Sequence, residues 1–263
     1  MITSVRYPLV QTFRRLADHP HRDPDRRLIL DGPRLIEEAL DAGIAIEAVL
    51  AVAQASPRGT ALAARLRAAG VRVHDAAPHV VQAASRVETT QGIVAIAHRP
   101  RAGTPAVLED PRLRLLVADR IQDPGNIGTI IRTALAAGAT AVAVTDGTVD
   151  PFLPKVLRAT MGAAFRLPIL SVEGDALRAA LAGRATRILV ADARAATEYM
   201  DVPVDPPVVI VVGNEATGPD PAWSTIGVGV RIPLHGPVES LNVAVAAALL
   251  LYEVARRAPR DDR

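Results

Sequence analysis

The chain has 263 residues, enough for one large or two modest domains, and 49% of them are hydrophobic, so it can build a sizeable core. The formal net charge is only +2, and arginine supplies nearly all of the positive charge because Lys155 is the single lysine. The absence of cysteine excludes disulfides, thiolate zinc sites and cysteine nucleophiles, and an aromatic content of 3% argues against nucleic-acid binding by base stacking.

The arginine bias has two explanations. It fits a genome rich in Arg and Ala codons, and it also fits phosphate recognition by planar guanidinium groups. The first residues lack the apolar core of a signal peptide, and no stretch reaches the ~18 uninterrupted apolar residues of a membrane helix. We therefore expect a soluble, cytoplasmic protein with no membrane partner.

Short strands alternate with helices in the first hundred residues. Apolar periodicity predicts a helix at 4–18, strands at 27–30, 46–52, 71–74 and 91–97, and further helices at 34–42, 59–69 and 78–84. This alternation predicts a small α/β domain over residues 1–100. Three prolines and Gly103 in the stretch 98–111 then predict a linker at 101–111.

The second half is richer in apolar strands, and we expect one domain over residues 112–263. Strands are predicted at 113–119, 141–144, 167–170, 187–191 and 208–212, with helices at 126–137, 154–160 and 175–182 and a last helix that ends at Arg257. Near-continuous apolar strands separated by helices are typical of a parallel sheet covered on both faces. The expected fold class is therefore α/β in both domains.

Three stretches of this second half place polar residues where a strand gives way to a turn or a helix. They read DPGNIGTIIRTA at 123–134, VVIVVGNEATGP at 208–219 and IPLHGPVESLNVA at 232–244. Free backbone N–H groups at such junctions are suited to ligand binding. The glycine spacing of a dinucleotide-binding fingerprint is absent, although a nicotinamide-dependent dehydrogenase stays open as an alternative.

Together and in this order, the three stretches resemble the motifs N-x-G-x-x-x-R, G-N-E-x-x-G and I-P-x-x-G-x-x-x-S-L-N-V of the SpoU (TrmH-like) RNA 2′-O-ribose methyltransferases, a branch of the SPOUT superfamily. The segments 30–39 and 88–92 resemble the RNA-binding domain that precedes the enzyme domain in many members and is similar to a ribosomal protein. The resemblance implies S-adenosylmethionine as cofactor, a trefoil knot in the C-terminal domain, a homodimer and an RNA substrate, with ribosomal RNA favoured over transfer RNA. It implies no metal.

The resemblance also assigns site residues. Those implied in catalysis are Asn126, Arg132, Glu215, Ser240 and Asn242. Arg132 would stabilise the developing ribose alkoxide electrostatically, since a guanidinium holds its proton too tightly to act as a general base. Glu215 would anchor its loop or pair with Arg132. From the residues alone, Asn126 or Asp123 could cap a helix and Ser240 could cap another.

Cofactor contacts are implied for Val190, Gly213, Asn214, Ile232, Leu234, Gly236, Leu241 and Val243. RNA contacts are predicted for Arg34, Arg86, Gln91 and Arg158, although each of these side chains could simply be solvated. Position 244, often serine in relatives, is Ala244 here and lacks that hydroxyl. The alternative functions are a tRNA 2′-O-methyltransferase and a catalytically idle RNA-binding protein that keeps the fold as a ribosome-assembly factor.

Overall fold

The structure is a computed structural model that describes residues 1–18, 25–53, 55–85 and 89–257. The chain divides into two compact units. Unit 1 comprises Met1–Pro100 and Phe152–Phe165, and unit 2 comprises Arg101–Pro151 and Arg166–Arg263. Each unit has its own sheet, and each is described separately below.

The described helices are, in chain order, α1 Pro8–Asp18, α2 Pro33–Asp41, α3 Pro57–Ala68, α4 Pro78–Ala84, α5 Pro124–Ala136, α6 Pro154–Thr160, α7 Gly174–Leu181 and α8 Val243–Arg257. The described strands are β1 Arg27–Asp31, β2 Ile46–Ala51, β3 Arg72–Asp75, β4 Ile93–His98, β5 Arg114–Asp119, β6 Ala141–Val144, β7 Ile169–Ser171, β8 Arg187–Ala191, β9 Thr197–Glu198, β10 Val208–Gly213 and β11 Val228–Arg231. Proline is the first residue of α1 to α6, where its fixed φ suits the first helical turn and its missing N–H is not needed.

Unit 1 contains a four-stranded sheet in the order β1-β4-β2-β3. β4 pairs antiparallel with β1 and β2, while β2 and β3 are parallel. Its core is aliphatic except for Phe13, as the composition requires. Helix α6 also belongs to this unit, since it packs on β1.

Unit 2 contains a seven-stranded sheet in the order β7-β6-β5-β10-β8-β11-β9, and every strand pair in it is parallel. The predicted parallel sheet is therefore confirmed. β10 lies at its centre, and all six of its residues are buried. Helices α5 and α8 pack against each other, which brings the first and third motifs of the second half onto neighbouring helices.

The compact units differ from the predicted domains in two places. The segment 152–165 packs within unit 1, whereas the sequence places it in the C-terminal domain. The predicted linker 101–111 is not an open connection, because Pro105–Glu109 forms a 3-10 helix whose Leu108 is buried in the core of unit 2. Gly103 also donates its N–H to the carbonyl of Ile169. The trefoil knot that the resemblance implies stays a prediction.

Candidate active site

The three motifs of the second half meet at the carboxyl edge of the parallel sheet. β5 and β10 are adjacent, and their register places Gly213 opposite Asp119 at the last paired position. The first motif follows β5, the second begins with β10, and the third follows β11, which lies on the other side of β8. In a parallel sheet the carboxyl ends of all strands lie at one edge, so segments that are distant in sequence converge there.

A chain of hydrogen bonds joins one side chain from each motif. The amide nitrogen Nδ2 of Asn126 donates to Oε1 of Glu215 over 2.6 Å. The amide nitrogen of Asn242 donates to Oδ1 of Asn126 over 3.0 Å. The three predicted catalytic residues are thus in direct contact, although up to 116 positions separate them along the chain.

The same residues settle which side chains cap the helices. Asp123 caps α5 by accepting the N–H of Asn126 at 2.8 Å. Asn242 caps α8, since its Oδ1 accepts the N–H groups of Ala244 at 2.9 Å and Val245 at 3.4 Å. The possible capping role of Ser240 is therefore wrong, because that residue is exposed two positions before the true cap. Within the described part of the chain its hydroxyl makes no hydrogen bond.

Arg132 lies on α5, two turns after the helix begins, and its side chain is exposed. The sequence suggests an ion pair between Arg132 and Glu215. The structure contradicts that pairing, because Glu215 is bonded to Asn126 and Arg132 has no hydrogen bond or ion pair with any described residue. The guanidinium is consequently available to a ligand.

The turn after β10 is closed by its own residues. Asn214 accepts the N–H groups of Ala216 at 2.9 Å and Thr217 at 3.2 Å, and its carbonyl accepts the N–H of Gly218 at 2.8 Å. Gly213 is required by this turn, since a Cβ there would lie 2.1 Å from the nitrogen of Pro219. The predicted cofactor residues Gly213 and Asn214 thus have a structural task of their own, which is to shape the segment that presents Glu215.

The third motif forms an extended loop between β11 and α8. Ile232, Leu234 and Leu241 are half-buried, while Gly236 is exposed with no atom within 4 Å of an added Cβ. Its one backbone hydrogen bond between loop residues, in the described chain, runs from Val238 to Gly236 at 2.9 Å. The loop therefore offers apolar side chains together with free backbone donors and acceptors.

Two predicted cofactor residues have buried side chains. Val190, at the end of β8, is 4% exposed and packs in the core of unit 2. Val243, the first residue of α8, is 7% exposed. At both positions only backbone atoms are placed to meet a ligand. A serine at the neighbouring position would be equally enclosed, because Ala244 is 4% exposed.

Sequence reasoning missed a polar cluster beside this turn. Asp119 is 2% exposed and accepts hydrogen bonds from the hydroxyl of Thr145 at 2.8 Å and from the N–H of Asp220 at 2.7 Å. The next residue, Arg120, reaches Gly218 with its guanidinium. One signal was present in the sequence: two charged residues end an otherwise apolar strand at the edge where ligands bind.

Comparison with known proteins decides the family. Residues 114–252 match the model of the SpoU rRNA methylase family, and residues 8–95 match the MRM3-like substrate binding domain. The chain belongs to the SpoU rRNA methylase family. It is 31% identical over 254 residues to the Bacillus subtilis 23S rRNA (guanosine(2553)-2′-O)-methyltransferase RlmP, a match that covers 96% of this chain and 98% of that protein.

Solved structures of SpoU relatives share the whole architecture. An AdoMet-bound rRNA methyltransferase from Sinorhizobium meliloti has a TM-score of 0.83 at 30% identity, covering 97% of each chain. The SpoU methyltransferase AviRb from Streptomyces viridochromogenes, in complex with AdoMet, has a TM-score of 0.80 at 27% identity and covers 95% of this chain and 98% of its own. The resemblance drawn from the three motifs is confirmed.

In this SpoU family member, three of the four predicted RNA-binding residues lie around one junction of unit 1, between β1 and α2. The side chain of Gln91 lies against Gly32, within 3.7 Å of where a Cβ would stand. Arg34 is exposed on the first turn of α2. Burial raises the pKa of Asp31, and the charge of exposed Arg158 on α6 partly opposes that shift. The fourth, Arg86, lies outside the described residues.

Asp31 is the most perturbed acid of this junction. Burial is the largest effect and raises the pKa of its carboxyl, while a hydrogen bond from the Ser85 hydroxyl and the charge of Arg158 act in the opposite direction. The carboxylate is therefore held at a cost beside an exposed cation. Arg158 is exposed beside it, where its guanidinium is accessible to a phosphate.

Within residues 1–18, 25–53, 55–85 and 89–257, no group of three His, Asp or Glu side chains is placed to hold a metal ion. None of the described helices is long and apolar enough to cross a membrane.

Proposed function

We propose that this protein transfers a methyl group from S-adenosylmethionine to a ribose 2′-hydroxyl of RNA, and that the RNA is ribosomal. The observation that carries the proposal is the hydrogen-bonded chain of Glu215, Asn126 and Asn242, which ties the three family motifs into one site. The relative from Bacillus subtilis is named for this reaction on 23S rRNA. Family membership gives the chemistry, and the intact polar chain indicates that the site is assembled for it.

The residues of the loop 232–241 fit the cofactor. Half-buried Ile232, Leu234 and Leu241 provide an apolar wall for an adenine face, and the free backbone groups supply hydrogen bonds to its edge. Gly236 leaves open space where a side chain would stand. Two solved relatives contain AdoMet, which supports the same ligand here.

The bound cofactor supplies an electrophilic methyl group on a sulfonium, which leaves as a neutral thioether. The protein's own task is to align the ribose hydroxyl and to ease the loss of its proton. Arg132 is suited to this, because a fixed positive charge beside the hydroxyl favours the alkoxide. Asn126, in the first turn of α5, and Asn242, which caps α8, line one edge of the site. Exposed Ser240 adds a hydroxyl at this edge.

Unit 1 supports a structured ribosomal substrate. Its sequence matches a substrate binding domain, and Arg34, Gln91 and Arg158 offer two cations and an amide around one junction. Guanidinium groups bind phosphate oxygens with two parallel hydrogen bonds, which suits recognition of a folded RNA backbone. We propose that this face selects the RNA and that unit 2 performs the transfer.

We also propose a homodimer. Helix α8 exposes an apolar stripe at i, i+4 and i+7, formed by Val245 at 49%, Leu249 at 39% and Tyr252 at 54% exposure. The stripe begins three residues after Asn242, so a second copy seated on it would lie beside the proposed site.

Leu249→Glu is expected to convert a dimer to a monomer in analytical ultracentrifugation and to abolish methyl transfer. Ala180→Glu, at an exposed position of α7, is the control; a dimer that survives Leu249→Glu contradicts the proposal.

The deciding experiment for the activity is tritium transfer. Labelled S-adenosylmethionine is incubated with total rRNA and total tRNA from a strain that lacks the gene, and the labelled nucleotide is mapped. Label at one rRNA position, with a bond resistant to alkaline cleavage, supports the proposal in full. Label in tRNA refutes the choice of substrate, and an absence of label in any RNA while S-adenosylhomocysteine still binds favours the idle RNA-binding protein.

Arg132→Ala separates binding from chemistry. Its methyl transfer should fall by about a hundredfold or more, on the scale of losing one electrostatic stabiliser of a transition state. Calorimetry with S-adenosylhomocysteine should show affinity within about threefold of wild type, because the cofactor loop is untouched. Unchanged transfer would refute the role assigned to Arg132. Tight binding of NAD in the same calorimetry would refute the cofactor.

A further inference from the structure

Arg120 has an unusual backbone conformation at a sensitive place. It connects β5 to the first motif, and its φ is 57°. Among the described residues only three that are not glycine have positive φ, the others being Arg26 and Met161. The left-handed region is unfavourable for any side chain with a Cβ, so an arginine there is retained against a conformational cost.

The side chain of Arg120 shows what offsets that cost. Nη2 donates to the carbonyl of Gly218 at 3.4 Å, and Nη1 lies 3.9 Å from a carboxylate oxygen of Asp220. Nε lies 3.4 Å from the buried carboxylate of Asp119. One guanidinium therefore holds the far end of the turn that follows β10.

The backbone of Arg120 holds the near end of the same turn. Its carbonyl accepts a hydrogen bond from the side-chain amide of Asn214 at 3.2 Å. Its N–H donates to the hydroxyl of Thr145 at 3.1 Å, which fixes the residue to the neighbouring strand end. The left-handed φ lets carbonyl and side chain serve the two ends of one turn, Asn214 and Gly218.

Glu215 lies inside this turn and depends on it. The carboxylate meets Asn126 at 2.6 Å only while the segment from Asn214 to Gly218 keeps its shape. Local contacts close the turn on itself, but Arg120 is the described residue that reaches Asn214 and Gly218 from outside the turn with hydrogen bonds. Its loss should leave a closed turn that moves relative to α5.

We infer that Arg120 is a positioning residue for Glu215: it acts on methyl transfer by holding the turn 214–218, without touching RNA or cofactor. The inference rests on the proposed function for its kinetic consequence. That Arg120 holds the turn 214–218 can be measured separately by amide hydrogen exchange, without any substrate. The competing role, direct contact of the partly exposed guanidinium with RNA, predicts a different kinetic pattern.

The test compares Arg120→Gly with Arg26→Gly. Glycine adopts positive φ freely, so both variants relieve the same strain, and both should melt within about 3 °C of wild type. Only Arg120→Gly should lower kcat, by about tenfold for one lost charge-assisted contact, with KM for RNA within about twofold. It alone should show faster amide hydrogen exchange in residues 214–218.

Arg120→Lys provides the rescue. A lysine keeps the cation, so exchange protection of the turn and part of kcat should return. A kcat or exchange rate unchanged in Arg120→Gly overturns the inference, and so does a raised KM for RNA at constant kcat, which would mean direct substrate contact. A wild-type protein that methylates no RNA refutes the proposed function instead, while the exchange measurements still decide whether Arg120 holds the turn.

Discussion

The substitution Asn126→Asp tests the polar chain with a change of one group. The shape of the side chain is preserved, and Asp can still accept the hydrogen bond from Asn242. The nitrogen that donates to Glu215 is replaced by a carboxylate oxygen, which would stand 2.6 Å from Oε1 of Glu215. Losing a hydrogen bond to a charged group costs about 1.5 kcal/mol at the lower end of the usual range. Repulsion between the two carboxylates adds about 1 kcal/mol at water-like dielectric once they have moved apart to about 4 Å.

The sum of about 2.5 kcal/mol corresponds to a fall in methyl-transfer rate of roughly seventyfold if the chain must be intact in the transition state. The assay is kcat on the mapped RNA substrate between pH 8 and pH 5. Activity relative to wild type should recover toward pH 5, because a proton shared by two adjacent carboxyl groups restores a hydrogen bond between them.

Gln122→Glu is the matched control, since it adds the same charge at an exposed position four residues earlier. It should keep kcat within about twofold of wild type, as expected for an exposed charge in solvent. An Asn126→Asp variant that is as active as Gln122→Glu at pH 8 would refute the reasoning. So would a variant that loses activity without any recovery in acid.

Three further predictions concern stability. Asp31→Asn should melt higher than wild type at pH 7, because burial raises the pKa of Asp31 and the ionised form weakens the folded state. The gap should close as the pH falls from that raised pKa to the ordinary carboxyl pKa, below which Asp31 is neutral in the folded and the unfolded state. Glu253→Gln should melt lower than wild type at pH 7, since hydrogen bonds from Arg256 and Arg257 lower the pKa of Glu253 and its ionised form stabilises the fold. This difference in melting temperature should be complete at pH 7 and should disappear in acid, as the pH falls through the lowered pKa. Gly213→Ala should cost about 3 kcal/mol and lower the melting temperature by about 9 °C, because its Cβ would overlap Pro219.

Each stability prediction has a contrary outcome in the same thermal scans. An Asp31→Asn variant that melts below wild type at pH 7 would mean that the charge of Asp31 stabilises unit 1 through Arg158 more than burial penalises it. A pH-independent deficit in Glu253→Gln would point to packing. Gly236→Ala is the control for Gly213→Ala, since nothing lies within 4 Å of its added Cβ, and equal melting temperatures for the two would refute the steric argument.

The sequence predicted the sheet well because its signals are local. The run Val208–Gly213 is short and rich in β-branched residues, which favours a strand buried on both faces over a helix. The predicted helix beginnings were less accurate, because the first six helices begin at a proline that the predicted ranges partly leave out. The segment 152–165 lies within the stretch that matches the SpoU rRNA methylase model, yet it packs within unit 1, and this packing has a physical reason. Its helix has the same pattern wherever it packs, and its position depends on a close fit in which Gly162 leaves room for Glu38.

The meeting of the three motifs was predictable, and the hydrogen-bond partners within them were not. The family resemblance groups Asn126, Glu215 and Asn242, and it leaves Glu215 either to anchor its loop or to pair with Arg132. The structure pairs it with Asn126 because strand register and the start of α5 place that amide at its carboxylate. Capping preference likewise favoured Ser240, whereas the helix begins two residues later and uses Asn242. Such outcomes depend on distances that a sequence does not contain.

The hydrogen bonds of the chain all run in one direction, and this direction fixes every amide in it. The side-chain oxygen of Asn242 accepts the N–H of Ala244, so only the side-chain nitrogen of Asn242 can face Asn126. Asn126 must therefore present its oxygen there and its nitrogen to Glu215. A carboxylate is the natural last member of such a series, since it accepts without donating. The start of α8 thereby orients the acidic residue two amides away, so a motif located in a helix cap acts on the same series of hydrogen bonds as the motif that carries the charge.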